Sequence, residues 1–391
     1  MQSEESSRKG ALGRAWYHVV TFLRDEPVFC VSLVAALISM CFVPPSTDYV
    51  RYVNGDLLAT LLCFMLCVAG LRKAGALEGL AGLFLRGRRS TTFLCGVLVA
   101  LPFFTGMFIT NDVALIAFVP FACLVLGRGV GSRMAAVVVV LQAIAANMGS
   151  MLTPFGNPQN LYVFEVFDLT AGEFLLTTTP YVLFSGVLLA GACLLAGRRV
   201  GSSEVETPTD LPQAKVSGVD VAIFSAAFVV CVLCVLDVIG VLAMLVGVCS
   251  AVLIRDWRLF GKVDWYLLAT FLYFFVFSGN LAAIPAVHTA LTSAMSAQPF
   301  WITLGTSQVI SDVPATALLA VFTDNWQALL LGADIGGLGT PVASLASLIA
   351  FGFYRKMRPE GSPTPGRFLV LFLVLNVVFL ALNCGLKLLL A

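Results

Sequence analysis

Charged residues are scarce in this chain. Asp, Glu, Lys and Arg make up 12% of its 391 residues, whereas an average soluble domain carries about 25%. Hydrophobic residues make up 59%, and the mean hydropathy is +0.95. This composition excludes an ordinary soluble domain and predicts an all-α polytopic membrane protein in contact with the lipid bilayer.

Catalytic and nucleotide-binding motifs are absent. The sequence has 2 His and contains no HExxH, no G-x-S-x-G and no Walker A loop, so it offers no enzyme signature. Its 11 Cys lie mostly within apolar runs, where Cys behaves as a small hydrophobic residue rather than a metal ligand. The net charge of +1 gives no basis for nucleic-acid binding. We expect no enzyme and no cofactor; any pumping must use an ion gradient unless a partner ATPase exists, which we do not expect.

One short motif occurs twice. Ala-Asn-Met-Gly at 146–149 precedes Thr153-Pro154, and Ala-Asp-Ile-Gly at 333–336 precedes Thr340-Pro341, with an offset of 187 residues in each matched pair (340 − 153). Both copies interrupt apolar runs of helix length with Gly, Pro and small polar residues. Such breaks are typical of transporters in which two repeats place discontinuous helices around a binding site. The motif therefore makes the chain a transporter candidate.

Apolar runs of membrane-spanning length predict nine crossings. They lie at about 28–43, 57–71, 134–161, 178–196, 219–236, 238–254, 264–281, 327–354 and 367–388. Two further apolar segments, 91–126 and 300–323, are each split by polar residues, so each is either a pair of spans or a re-entrant hairpin. We favour hairpins, because a carboxylate on irregular backbone at membrane depth must be buried in protein.

The order of these segments predicts an inverted-topology repeat with two re-entrant hairpins and two broken helices. The predicted units are a cytoplasmic N-terminal segment at 1–27, a first repeat at 28–196 with its hairpin at 91–126 and its broken helix at 134–161, a linker and connecting span at 197–237, and a second repeat at 238–391 with its hairpin at 300–323 and its broken helix at 327–354. Lys and Arg fall almost entirely into the loops on one side. By the positive-inside rule that side is cytoplasmic, which places the N-terminus inside and the C-terminus outside a bacterial inner (plasma) membrane.

If the repeat is real, its four polar breaks, one in each hairpin and one in each broken helix, lie close together. Broken helices leave free carbonyls that suit Na⁺ and free N–H groups that suit an anion. Small polar residues also pack helices closely, but four matched interruptions favour a binding site. The candidates for binding substrate or ion are Thr110, Asn111, Asp112, Thr153, Asn157, Ser311, Asp312, Asp334, Thr340 and Ser344.

Three of these candidates are carboxylates at predicted membrane depth. Asp112, Asp312 and Asp334 have no Lys or Arg near that depth in the predicted topology. A carboxylate in that position is either functional or protonated. We therefore expect these groups to ligate Na⁺ or to take up H⁺ as coupling sites.

The motifs resemble those of the ion transporter superfamily that includes arsenite permeases, Na⁺/H⁺ antiporters of the NhaD type, citrate transporters and divalent-anion/Na⁺ symporters. The resemblance covers most of the chain from about residue 28 onward, and its most specific part is the Thr-Pro-Phe-Gly-Asn-Pro-Gln-Asn stretch at 153–160. The other matching motifs are Ile109 to Asp112, Val309 to Ala315 and Gly332 to Ser347. The resemblance implies a homodimer with a fixed scaffold and a mobile transport domain that works as an elevator.

The resemblance also implies two Na⁺ sites with the substrate between them. Carried over, the first site is formed by Thr110, Asn111, Gly156 and Asn157, and the second by Ser311, Asp312, Thr340, Ala343 and Ser344. Asp312 and Asp334 stand where many relatives carry Asn, and this extra negative charge favours a bound cation or proton.

The leading hypothesis is a secondary transporter that moves a small anion by symport with Na⁺ or H⁺. Three alternatives remain. The first is a Na⁺/H⁺ antiporter in which Asp312 and Asp334 bind protons and cations alternately. The second is a permease for arsenite efflux. The third, outside transport, is a membrane-embedded enzyme or scaffold.

Overall fold

The structure, a computed structural model, describes residues 26–47, 49–85, 87–129, 132–200, 204–206, 216–358 and 361–390. The predicted N-terminal segment lies outside the described residues except at its end, and so does most of the polar linker between the halves. Most described residues are helical, in agreement with the predicted all-α class. The boundaries of the predicted repeats stay predictions.

The first half contains nine helices and one short strand within its described residues. They are α1 (Pro27–Met40), α2 (Tyr49–Tyr52), α3 (Gly55–Lys73), α4 (Ala76–Leu85), β1 (Arg88–Ser90), α5 (Thr91–Gly106), α6 (Asn111–Gly129), α7 (Ser132–Ser150), α8 (Pro158–Val166) and α9 (Ala171–Val200).

The linker and second half begin with a second strand, which pairs antiparallel with β1. The elements are β2 (Glu204–Glu206), α10 (Gly218–Val235), α11 (Val241–Asp256), a 3₁₀ helix (Trp257–Lys262), α12 (Trp265–Ala283), α13 (Pro285–Ala297), α14 (Pro299–Ile310), α15 (Asp312–Leu319), a 3₁₀ turn (Ala320–Phe322), α16 (Trp326–Gly336), α17 (Leu345–Met357) and α18 (Pro365–Leu389).

Local sequence explains where many helices start. Pro occupies the first position of α8, α13, α14 and α18, where its missing N–H has no helical partner to lose. Asn54, Asp264 and Asn325 cap α3, α12 and α16 by accepting a bond from the N–H three residues on, which satisfies one free donor of the first turn.

Six described helices are long and apolar enough to cross a membrane. They are Gly55–Lys73, Arg133–Ser150, Ala171–Arg198, Gly218–Val235, Trp265–Ala283 and Pro365–Leu389. By contrast, α14 has 12 residues and α15 has 8, which correspond to about 18 Å and about 12 Å of helix against a hydrocarbon core of about 30 Å. Neither of these two helices crosses a membrane alone.

Two helical hairpins and two helix breaks define the centre of the molecule. The first hairpin consists of α5 and α6, and the second of α14 and α15, and the arms of each pack against one another. The first break, 151–157, separates α7 from α8, and the second break, 337–344, separates α16 from α17. These positions coincide with the two copies of the repeated motif.

The helices that follow the breaks pack against the opposite half of the chain. The helix α8 contacts α15 and α16, and α17 contacts α6 and α7. Buried apolar side chains form two clusters, one centred on α5, α6 and α7 and the other on α3, α10 and α12. Because α8 and α17 each pack against the opposite half, the hairpin tips and breaks of both halves lie beside one another.

Candidate functional site

Each hairpin is attached to the break of its own half by a threonine hydroxyl. The Thr153 hydroxyl donates to the Met107 carbonyl, and the Thr340 hydroxyl donates to the Gln308 carbonyl at 3.2 Å. Met107 lies four residues before Asn111, where α6 begins, and Gln308 lies four residues before Asp312, where α15 begins. The two halves thus use the same bond at the same place.

An amide side chain holds the irregular backbone of each break. In the first break, Asn160 Nδ2 donates to the carbonyls of Ser150, Met151 and Thr153 at 3.2–3.4 Å. In the second, Gln308 Nε2 donates to the carbonyls of Gly336 and Leu338, and its Oε1 accepts from the Thr340 N–H. These amides satisfy carbonyls that the interrupted helices leave free.

Gly156 allows the first break to pack tightly. A Cβ atom at this position would lie 2.1 Å from the Ser150 carbonyl oxygen, which is far inside van der Waals contact. The resemblance assigns Gly156 to the first Na⁺ site; the structure shows that it also permits the close approach of the chain to the end of α7.

Asn147 joins the two halves. Its Oδ1 accepts from Asn111 Nδ2 at 2.9 Å and from the Ser344 hydroxyl at 3.1 Å, and its Nδ2 donates to the Gly337 carbonyl at 3.4 Å. One buried amide therefore contacts the tip of the first hairpin and both ends of the second break. Asn147 occupies the position of Asp334 in the repeated motif.

Gln159 bridges two buried carboxylates. Its Nε2 donates to Asp312 Oδ2 and to Asp334 Oδ1, each at 3.3 Å. Asp312 is 4% exposed and Asp334 is 3% exposed. Within the described part of the chain neither carboxylate has a Lys or Arg partner. The structure thus places two buried carboxyl groups at the junction of the halves without a basic partner among the described residues.

The tip of the second hairpin is strained. Ser311 has φ 76° and ψ 158°, a region that is essentially reserved for Gly and costs about 1–3 kcal/mol. The Ala343 carbonyl holds this tip, because it accepts from the Asp312 N–H at 2.9 Å and from the Ser311 hydroxyl at 3.3 Å. The Ser311 hydroxyl also lies 3.0 Å from Asp312 Oδ1.

Two adjoining cavities lead to the hairpin tips. The larger, of about 710 Å³, is lined by Thr110, Asp112 and Asn157. The smaller, of about 450 Å³, is lined by Asn111, Asp112, Gln159, Ser311, Asp312 and Ser344. Basic residues of the side predicted to be cytoplasmic also line the cavities, namely Arg72, Lys73, Arg258 and Lys262 in the larger and Arg355 and Lys356 in the smaller.

Helix N-termini point toward these cavities. Asn157 and Ser344 occupy the cap positions of α8 and α17, but neither side chain accepts a capping bond from its own helix. The first turns of both helices therefore lack the side-chain acceptor that usually satisfies their N–H groups, although Pro158 at the start of α8 contributes no N–H. Such N–H groups, with the positive end of the helix dipole, favour an anion.

The structure brings together Thr110, Asn111, Asp112, Asn157, Ser311, Asp312, Asp334 and Ser344 around the two cavities or directly behind them. The hydroxyls of Thr153 and Thr340 and the carbonyl of Ala343 are instead engaged in hydrogen bonds that hold the breaks, and their roles as ligands stay predictions. Sequence reasoning did not select Asn147, Gln159 or Gln308. The first two lie inside quoted motifs, and pairing Asn147 with Asp334 in the repeat could have identified it.

Comparisons with known sequences identify similar proteins. The sequence model of the family described as "Citrate transporter" matches residues 20–329. The chain is 29% identical over 339 residues to the Escherichia coli inner membrane protein YbiR, covering 84% of this chain and 88% of that protein. It is 28% identical over 285 residues to an uncharacterized transporter of Methanocaldococcus jannaschii, covering 72% and 76%.

A solved structure shares the fold. The crystal structure of the Alcanivorax borkumensis YdaH transporter, described as having an unusual topology, aligns with a TM-score of 0.54 at 14% identity and covers 87% of this chain and 86% of that one. At this identity the likeness supports the fold alone.

Proposed function

Since the chain belongs to the citrate transporter family, we propose that this transmembrane transporter moves a small anion, with a carboxylate such as citrate as the first candidate, by secondary active symport with Na⁺ or H⁺. We place it in an inner membrane with the N-terminus inside and the C-terminus outside. The name of the relative YbiR and the segregation of Lys and Arg support this placement.

The observation that carries the proposal is that one site contains groups that favour an anion and groups that favour a cation. The N-termini of α8 and α17 supply N–H groups and positive dipole ends for an anion. Within bonding distance of Gln159 lie two carboxylates, Asp312 and Asp334, that attract a cation. An anion would bind poorly beside two carboxylates unless a cation or protons were bound too. That mutual dependence is the thermodynamic basis of symport.

The architecture supports an elevator. The arms of the second hairpin are too short to cross a membrane, as expected of a re-entrant hairpin, and the matched Thr153 and Thr340 bonds support an inverted repeat. We infer a transport domain made of the hairpins, breaks and helices α7, α8, α16 and α17. It would move against a scaffold that contains α3, α10 and α12 and that forms a homodimer.

The paired carboxylates also support a second candidate. In a Na⁺/H⁺ antiporter, Asp312 and Asp334 would bind Na⁺ and protons alternately, and no anion would be required. This alternative predicts that Asp312→Asn or Asp334→Asn abolishes all transport.

A binding screen separates the two candidates. Detergent-purified protein is tested with citrate, succinate, sulfate, phosphate and arsenite, each in Na⁺, Li⁺ and choline salts across pH, with the thermal unfolding midpoint as readout. Stabilisation by one anion that requires Na⁺ or low pH supports anion symport. A response to Na⁺ or Li⁺ that grows with pH and ignores every anion contradicts it in favour of the antiporter.

A further inference from the structure

One face of α3 changes along its length from apolar to basic. Its residues that line the larger cavity include Leu61, Phe64, Met65, Val68 and Arg72. Their spacing of about one helical turn places them on one side of the helix. Leu61 and Arg72 are 11 residues apart (72 − 61), which corresponds to about 16 Å along the helix axis. This wall of the cavity is therefore apolar over most of its length and ends in a guanidinium group.

Helices of the proposed transport domain supply further apolar walls of the same cavity. They contribute Val113 and Ile116 of α6, Leu161 of α8 and Ile349 of α17. The cavity volume of about 710 Å³ lies within the range of about 300–1,000 Å³ that is usual for small-molecule sites with mainly apolar walls. The cavity thus lies between α3, which we assign to the scaffold, and helices that we assign to the moving part.

The basic side chains of this cavity gather where α3 ends. Lys73, the last residue of α3, forms an ion pair with Asp256. Asp256 directly precedes the 3₁₀ helix that carries Arg258 and Lys262, and this helix packs against α3. Within the described part of the chain, Arg72, Arg258 and Lys262 have no carboxylate within ion-pair distance. Three basic groups beside an apolar wall are therefore free to bind a ligand.

Carboxylates at this end of the cavity compensate the basic groups only in part. The lining contains Glu78, Asp256 and Asp264 beside the four basic residues. Asp256 is engaged by Lys73, and Asp264 accepts the N–H of Leu267 at the start of α12. The remaining lining carboxylate, Asp112, belongs to the tip of the first hairpin. The end of α3 thus carries a positive surplus, which favours an anionic group.

We propose that the larger cavity binds an organic anion with an apolar body, which packs against α3 and directs its anionic group to Arg72 and Arg258. The consequence for transport rests on the proposed function. A ligand that contacts both scaffold and transport domain favours the one arrangement in which their surfaces face each other. Movement of the transport domain would separate these surfaces, so the bound ligand inhibits transport and is not itself carried.

The first test measures the thermal unfolding midpoint of purified full-length protein with phenylbutyrate as the probe. Phenylbutanol has the same apolar body without charge, phenylbutylamine has the opposite charge, and acetate has the charge without the body. Half-maximal stabilisation should require at least about tenfold less phenylbutyrate than any of these three compounds. Equal stabilisation by the alcohol or the amine would overturn the site. So would stabilisation by phosphatidylglycerol in mixed micelles without a response to phenylbutyrate, which would assign the cavity to a lipid.

Substitutions then locate the bound probe. Ala69 of α3 lines the cavity, so Ala69→Phe should raise the half-maximal phenylbutyrate concentration at least about tenfold. Ala243→Phe, at an exposed position of α11 that lines neither cavity, is its matched control. The double variant Arg72→Gln/Arg258→Gln should respond to phenylbutyrate no better than to phenylbutanol, whereas the exposed Arg367→Gln should keep the wild-type response. Folding is read from each midpoint without probe, and a wild-type response in both cavity variants contradicts the site.

A transport assay tests the inhibition. Phenylbutyrate should reduce citrate uptake by proteoliposomes at the concentrations that raise the midpoint, and radiolabelled phenylbutyrate should not accumulate. Unchanged citrate uptake with saturating phenylbutyrate, or accumulation of phenylbutyrate itself, would overturn the inhibitory role. A protein that binds phenylbutyrate as described but moves no anion under any gradient would reject the proposed function while the binding site stands.

Discussion

At the scale of single residues, Gln142 shows how a buried amide supports the first hairpin. Pro102 within α5 has no N–H and leaves the Leu98 carbonyl without its helical partner. Gln142 Nε2, from α7, donates to this carbonyl at 2.9 Å and to the Phe118 carbonyl of α6 at 3.3 Å. One side chain thus fixes both arms of the hairpin to α7.

Replacing Gln142 with Leu should lower stability by about 1–3 kcal/mol, because the Leu98 carbonyl becomes a buried acceptor without a donor. Thermal unfolding in detergent measures the change. Asn376→Leu is the matched control. Asn376 Nδ2 donates to the Phe372 carbonyl of its own helix, and this carbonyl keeps its backbone donor when the side chain is replaced. Equal losses in the two variants would contradict the assigned role of Gln142.

Asn147 offers a second prediction at this scale. Asn147→Ala removes its bonds to Asn111, Ser344 and Gly337, and we expect anion uptake into membrane vesicles to fall at least about tenfold, which corresponds to about 1.4 kcal/mol. Asn147→Asp keeps an acceptor for Asn111 and Ser344, but it loses the donor to the Gly337 carbonyl and adds a carboxylate at the junction, so it should also lose uptake. Uptake at the wild-type level in Asn147→Ala would show that the contact between halves is not needed.

At the scale of elements, the second break depends on Gln308. Gln308→Leu removes the partners of the Gly336 and Leu338 carbonyls and of the Thr340 N–H. We expect faster hydrogen exchange of the amides in 337–344, with little change in α18. Mass spectrometry after deuterium labelling gives the rates. The exposed Gln327→Leu is the control, and similar exchange in both variants would refute the role of Gln308.

The breaks could be predicted from the sequence because their causes are local. Gly and Pro interrupt apolar runs at 149–158 and 336–341, and the structure interrupts helices there. The contacts could not be predicted, because the partners of Gln159 lie 153 and 175 residues away. Likewise, Thr153 and Thr340 were selected as oxygen ligands, but no local pattern reveals that a hairpin carbonyl lies within reach of each hydroxyl.

At the scale of the whole molecule, the predicted orientation can be checked with cysteine labelling. Cys41 is exposed at the end of α1, on the side predicted to be outside. A membrane-impermeant maleimide should label it in intact cells. Thr364→Cys in a Cys41→Ser background should react only after permeabilisation, because 358–366 lies on the side predicted to be cytoplasmic. The opposite pattern would invert the topology.

The central claim is that one site couples an anion to a cation. The most direct measurement is uptake of radiolabelled citrate by proteoliposomes that contain the purified protein, under an imposed inward gradient of Na⁺, of protons, or of neither, with succinate, sulfate, phosphate and arsenite tested in the same way. We predict that one anion accumulates above equilibrium only when a cation gradient is present, and that Asp334→Asn abolishes the accumulation driven by Na⁺. Anion flux that never exceeds equilibrium under either gradient, or Na⁺/H⁺ exchange without movement of any anion, would contradict the account.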